Sequence, residues 1–118
     1  MDTNYGEREI EIVKAGIYKI QEVLFGNDTK AKERLLFYLD WYLDSYYKND
    51  LSKIENNISS VLQNVVIRSE EDEVVDEAIH LLSAYLTGPF NVIKEHLSTI
   101  PQKFRPDVLD LIMQDIKA

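Results

Sequence analysis

The sequence predicts an all-α protein of about six helices, packed as antiparallel helical hairpins in a short stack or a compact bundle. Three observations lead there. Apolar residues recur at spacings of three and four along most of the chain. Gly26-Asn27-Asp28, Thr87-Gly88-Pro89 and the prolines Pro101 and Pro106 cut that pattern into helix-length pieces. The best strand candidate, the β-branched run Val65-Val66-Ile67, is too short to outvote the helical pattern around it.

Taken in order, the first helix is predicted from about Glu7 to Phe25, with Ile10, Val13, Ile17, Ile20 and Leu24 as its stripe. Gly26 closes it, and Asp28 or Thr29 caps the second helix, which is predicted to stop near Asn49. Asp50 is a suitable N-cap for a third helix that buries Leu51, Ile54, Ile58, Val61, Leu62 and Val65. Ser69 opens the fourth as the first residue of a capping-box pattern, with Asp72 three positions on, and the acids Glu70 to Glu73 suit the positive end of the helix dipole. Its broad apolar face runs from Val74 through Leu82 to Tyr85 and Leu86. Gly88 stops it and Pro89 restarts the chain into a short fifth helix, Phe90 to about Ser98, with Phe90, Ile93 and Leu97 inward. The last helix, about Asp107 to Lys117, is predicted to bury Val108, Leu109, Ile112 and Ile116. Arg105, just before it, is placed to pair with an acid or to cap carbonyls of a neighbouring helix.

Length and charge bound the function. A chain of 118 residues is one domain by size. It has no cysteine, which excludes a disulfide framework and a thiolate metal site and fits a reducing cytosol. Its opening is polar and its apolar runs are short, so neither a leader nor a membrane span is expected, and the reading is cytoplasmic. The net charge of −8 argues against nucleic acid as a direct partner and favours a basic protein, although acidity also serves solubility alone.

The stretch Leu35 to Lys48 (LLFYLDWYLDSYYK) has more apolar residues than one buried helix face can use. Leu35, Leu36, Tyr38, Leu39, Tyr42, Leu43 and Tyr46 share one side of a helical wheel; Phe37, Asp40, Trp41, Asp44 and Tyr47 share the other. Aromatic anchors interleaved with carboxylates form a surface suited to an incoming Lys or Arg. The competing reading is a central helix buried on both sides. The cluster Glu73, Asp76 and Glu77 extends the acidic start of the fourth helix, either as a negative patch for a basic partner or as a solvated helix start. His80 beside Asp76 and Glu77 is a poor metal set, and no catalytic motif occurs, so neither metal, cofactor nor enzyme activity is expected.

The stretch Asp72 to Ile112 (DEVVDEAIHLLSAYLTGPFNVIKEHLSTIPQKFRPDVLDLI) resembles the all-helical, HEAT-like immunity proteins found beside bacterial polymorphic toxins. The likeness lies in the acidic start, the EAIHLLSAY helix, the Gly-Pro-Phe restart and the FRPDVLDLI last helix. It implies binding and blocking of a toxin domain made by the same cell, without catalysis; many such targets are basic nucleases. The function expected from these readings is therefore an immunity protein that occludes a basic toxin, with Phe37, Asp40, Trp41, Asp44, Tyr47, Glu73, Asp76 and Glu77 at the interface. The alternative is a helical interaction module that forms homodimers or scaffolds partners.

Overall fold

The computed structural model describes residues 4–44, 48–51, 54, 57–86 and 88–117, without the side chains of 4–6 and 115–117. All regular structure among them is helical: seven α-helices and two short 3-10 turns. The residues group into two compact units, 1–58 and 59–118.

In the first unit the stretch predicted as one helix is two, α1 (Asn4–Ala15) and α2 (Ile17–Leu24). Gly16 between them has φ 105° and ψ −173°, a conformation open essentially to glycine alone. The ladder breaks there: Gly16 N–H bonds the Val13 carbonyl at 3.1 Å, and the Gly16 carbonyl starts α2 by accepting from Lys19 and Ile20. The apolar stripe runs through the break, with Ile12, Val13, Ile20 and Leu24 buried and Ile10 and Ile17 half-buried. Periodicity alone therefore concealed the joint. Gly26 ends α2 with its N–H on the Val23 carbonyl at 3.2 Å. A Cβ there would meet the Glu22 carbonyl oxygen at 3.0 Å, which explains glycine at the turn.

Asp28 caps α3 (Thr29–Leu43), its Oδ1 accepting from Ala31 N–H at 3.1 Å. The helix buries Leu35, Leu36, Leu39 and Leu43, each contributing about 1.5–3 kcal/mol by removal from water. It packs on α1 and α2, which also pack on each other. An ion pair joins α1 to α3, Arg34 Nε to Glu9 Oε2 at 3.7 Å, with the Glu9 side chain buried and that of Arg34 41% exposed. Contrary to expectation, α3 does not reach Asn49: Asp44 is already extended, at φ −65° and ψ 119°. Nor does Asp50 cap a helix. Ile54 N–H bonds the Leu51 carbonyl and Asn57 N–H the Ile54 carbonyl, both at 3.0 Å, which are single turns. Of the third predicted helix, the structure shows regular helix from Ile58; its predicted residues Ser52, Lys53, Glu55 and Asn56 lie outside the described residues.

In the second unit, α4 (Ile58–Arg68) buries Val61, Leu62, Val65 and Val66. Ser69 is not the cap of the next helix. Its N–H still bonds Val65, and its Oγ accepts from Glu71 N–H at 3.2 Å in a serine turn, so the capping box does not form. Glu71 stands at the N-cap of α5 (Asp72–Tyr85), whose Val74, Val75, Ala78, Ile79, Leu81 and Leu82 are buried.

Pro89 precedes rather than enters the short α6 (Asn91–Glu95), and a 3-10 turn, Leu97–Thr99, follows where the helix was expected to continue. Phe90 and Ile93 are buried as predicted, but Leu97 is half-buried. Gln63 fastens α6 to α4: its Oε1 accepts from Ile93 N–H at 3.2 Å and its Nε2 donates to Ser59 Oγ at 3.0 Å. A second 3-10 turn, Gln102–Phe104, leads into α7 (Arg105–Lys117), which packs on α5. Arg105 caps carbonyls, one of its two expected roles, donating through Nη2 to Ile100 at 3.2 Å and Ser98 at 3.3 Å. Val108 is buried as predicted, and Leu111 with it, whereas Leu109 is exposed and Ile112 half-buried. Ile116 and Tyr46, both predicted inward, lie outside the described side chains.

Candidate partner-binding surface

The surface begins with the leucines of α3. Four buried leucines fix which way this helix turns, and that leaves Phe37 and Trp41 on the outer side. Phe37 is 57% exposed and Trp41, one turn further on, 41% exposed. That arrangement rules out a helix buried on both sides at these two positions. Asp40 beside them is half-buried, and so is Asp44. Asp44 sits just past the helix end, held by its N–H to the Trp41 carbonyl at 3.3 Å. The two aspartates are thus not stacked along one helix as the spacing predicted. Asp44 leaves the helix beside Trp41. Tyr47 lies outside the described residues.

The aromatic side chains of α3 are coupled. The Tyr38 ring lies 5.4 Å from that of Trp41 and 5.9 Å from that of Tyr42, centroid to centroid, at tilts of 38° and 32°. Stacking of this kind restricts the Trp41 side chain before any partner arrives, which lowers the entropy lost on docking. Both phenol pKa values are raised. Burial is the larger cause in each; Tyr42 adds to it at Tyr38, and Asp50 at Tyr42.

The second predicted group belongs to the other unit. Glu73 and Asp76 are exposed on α5 and Glu77 is half-buried. Their spacings of three and four put them on one side of the helix. Asp72, at the first turn, is paired with the Lys103 ammonium, and both are more than half exposed, so the pair is worth about 0–1 kcal/mol. No ion pair to Glu73 or Asp76 forms among the described residues.

Sequence reasoning missed other exposed apolar side chains: Tyr18 on α2, Phe25 just past it, and Leu109 and Met113 on α7. Tyr18 had a signal, since it lies off the Ile17–Ile20–Leu24 stripe. Leu109 had none, because an apolar residue at a plausible helical spacing reads as core.

A scan of the sequence against family models and searches of curated proteins and solved structures gave no match.

Proposed function

We propose that the protein is a binding inhibitor of the immunity type, which occludes a basic toxin domain in the cytoplasm without catalysis. The observation that carries the reading is the exposed Phe37–Trp41 pair on α3, flanked by Asp40 and Asp44. Large exposed aromatics one turn apart act as interface anchors when covered, and adjoining carboxylates select Lys or Arg on the covering surface. The net charge of −8 steers a basic partner toward the protein before contact. Glu73, Asp76 and Glu77 on α5 contribute to that field. The resemblance of residues 72–112 to toxin immunity proteins points the same way.

The test is capture from the native cell by wild type and by an Asp40→Ala/Trp41→Ala variant. A basic toxin domain identified only with wild type, and inhibited on mixing with it, supports the proposal; equal capture by both proteins overturns the face. Trp41→Ala alone should weaken toxin binding by about 2 kcal/mol or more while lowering stability by less than about 1 kcal/mol, comparing titration calorimetry with urea unfolding.

A second reading, a module that self-associates or scaffolds partners, is favoured by Leu109 and Met113. These are 44% and 50% exposed one turn apart on α7. Sedimentation across protein concentration separates the readings: a concentration-dependent mass that Met113→Glu abolishes supports self-association.

A further inference from the structure

A cleft of about 480 Å³ lies within the first unit, walled by Ile10 and Val13 of α1 and by Tyr38 and Tyr42 of α3; Lys14, Asn49 and Asp50 complete its lining. Lys14 and Asp50, the charged residues of that lining, are exposed, and each already holds an interaction within the protein. An occupant therefore finds no spare charge to pair with, and a charged one would give up its water for nothing in return. What the cleft offers is two aliphatic side chains and two phenol rings. The Tyr42 hydroxyl donates to the Asp50 carbonyl, and Asn49 Nδ2 donates to the Tyr42 carbonyl at 3.3 Å. These bonds hold residues 49 and 50 against α3, so the cleft is formed before anything binds.

The cleft adjoins the partner surface of α3. Three residues turn a helix by about 300°, so Tyr38 stands about 60° round α3 from Trp41 and Tyr42 about 40° further the same way, while Asp40 lies about 100° the other way. The Tyr38 ring accordingly joins the two features: it walls the cleft and lies 5.4 Å from the Trp41 ring. A protein interface of ordinary size covers about 800 Å² on each partner, a patch that reaches roughly 15 Å from its centre. Packed helices lie roughly 8–10 Å apart, so a partner seated on Trp41 also covers the cleft between α3 and α1. Covered but unfilled, the apolar walls lose contacts; filled by an apolar group, they gain them.

We propose that the cleft receives one large, uncharged apolar side chain from the basic protein that covers Phe37 and Trp41. The inference rests on the toxin-binding reading and adds to the partner's chemistry: its contact surface carries an apolar knob set beside the Lys and Arg residues that answer Asp40 and Asp44. The knob and the basic groups fall on opposite flanks of the Phe37–Trp41 ridge, which fixes the register of docking.

The experiment has two parts. A heteronuclear NMR titration of the full chain uses N-acetyl-L-phenylalaninamide, which stands in for an apolar residue inside a polypeptide, with N-acetyl-L-argininamide and free L-phenylalanine in parallel. The expected result is saturable shifts at the amides of Ile10 to Lys14 and Tyr38 to Tyr42, with a dissociation constant on the order of 10 mM and about tenfold weaker binding of the argininamide. No saturable shift up to about 50 mM overturns the proposal, as does equal or tighter binding of the argininamide. Free L-phenylalanine bound about tenfold tighter than the blocked probe also overturns it, by making the occupant a small molecule. The second part compares binding of the captured toxin domain by wild type and by Ile10→Trp, which fills the cleft from its half-buried wall and whose own spectrum reports that it is folded. The variant should bind that domain at least about tenfold more weakly. Unchanged affinity in Ile10→Trp overturns the cleft and leaves the toxin-binding reading standing; capture of no basic toxin by wild type overturns that reading, and the inference with it. The wild-type titration decides the matter whether or not the variant folds.

Discussion

At the scale of single residues, the protein depends on a few positions where one group does what no other can. Gly16 is the clearest. Nothing lies within 4 Å of a Cβ added there, so the objection to any other residue is conformational rather than steric. Gly16→Ala should destabilise the fold by about 1–3 kcal/mol, read as a lower urea midpoint. Gln63 is the second. It is 3% exposed and holds the Ile93 N–H through one atom and Ser59 through another. Gln63→Leu keeps the volume but leaves that buried N–H without an acceptor, so a loss of about 1–3 kcal/mol is expected in the same measurement. Neither role was legible beforehand. A glycine inside an amphipathic pattern reads as a tolerated weak point, and a glutamine on a polar helix side reads as solvated. Each needed the partner element to be in place before its purpose could be seen.

At the scale of elements, the amphipathic core was legible, as were the stop at Gly26 and the cap at Asp28, while most other ends were not. Leu35, Leu36, Leu39 and Leu43 on α3, and Val74, Val75, Ala78, Ile79, Leu81 and Leu82 on α5, are buried as their spacing requires, because burial of a periodic stripe is a large summed effect. Helix ends turn on contests of about 1 kcal/mol. Ser69 preferred a turn with Glu71 to a cap, and α3 yielded to extended backbone at Asp44 although Tyr46 continues the stripe in sequence. On the candidate site, it was legible that Phe37 and Trp41 share the side of α3 away from the leucines, but the sequence left that side open between a partner surface and a second buried face; their exposure came from the structure. The division of Asp40 and Asp44 between helix and loop was not legible. Arg105 gives this scale its own test. Its guanidinium ties the 3-10 turn at Leu97–Thr99 to the start of α7 through two carbonyls. Arg105→Met should cost about 1 kcal/mol, since one of the two bonds faces solvent, and should speed amide exchange at Thr99 and Ile100 before it affects α5.

At the scale of the whole molecule, charge and composition govern. A net charge of −8 makes the folded chain repel itself, so its melting temperature should rise modestly between about 10 mM and 150 mM salt, while affinity for a basic partner falls over the same range. The alkaline limb is set by the phenols. The raised pKa values of Tyr38 and Tyr42 mean that the fold favours their protonated forms. That contribution is complete below the ordinary tyrosine value of about 10 and is lost as pH rises through the higher folded values. Urea midpoints should therefore fall above about pH 10, and less steeply in Tyr38→Phe. Trp41 is the chain's one indole, with the Tyr38 ring 5.4 Å away. At that separation the phenol passes its excitation to the indole almost completely, so light absorbed by Tyr38 is emitted by Trp41. The protein thus carries its own optical reporter on the outer side of α3: a partner that covers it should blue-shift the emission and shield it from iodide quenching, with no label attached.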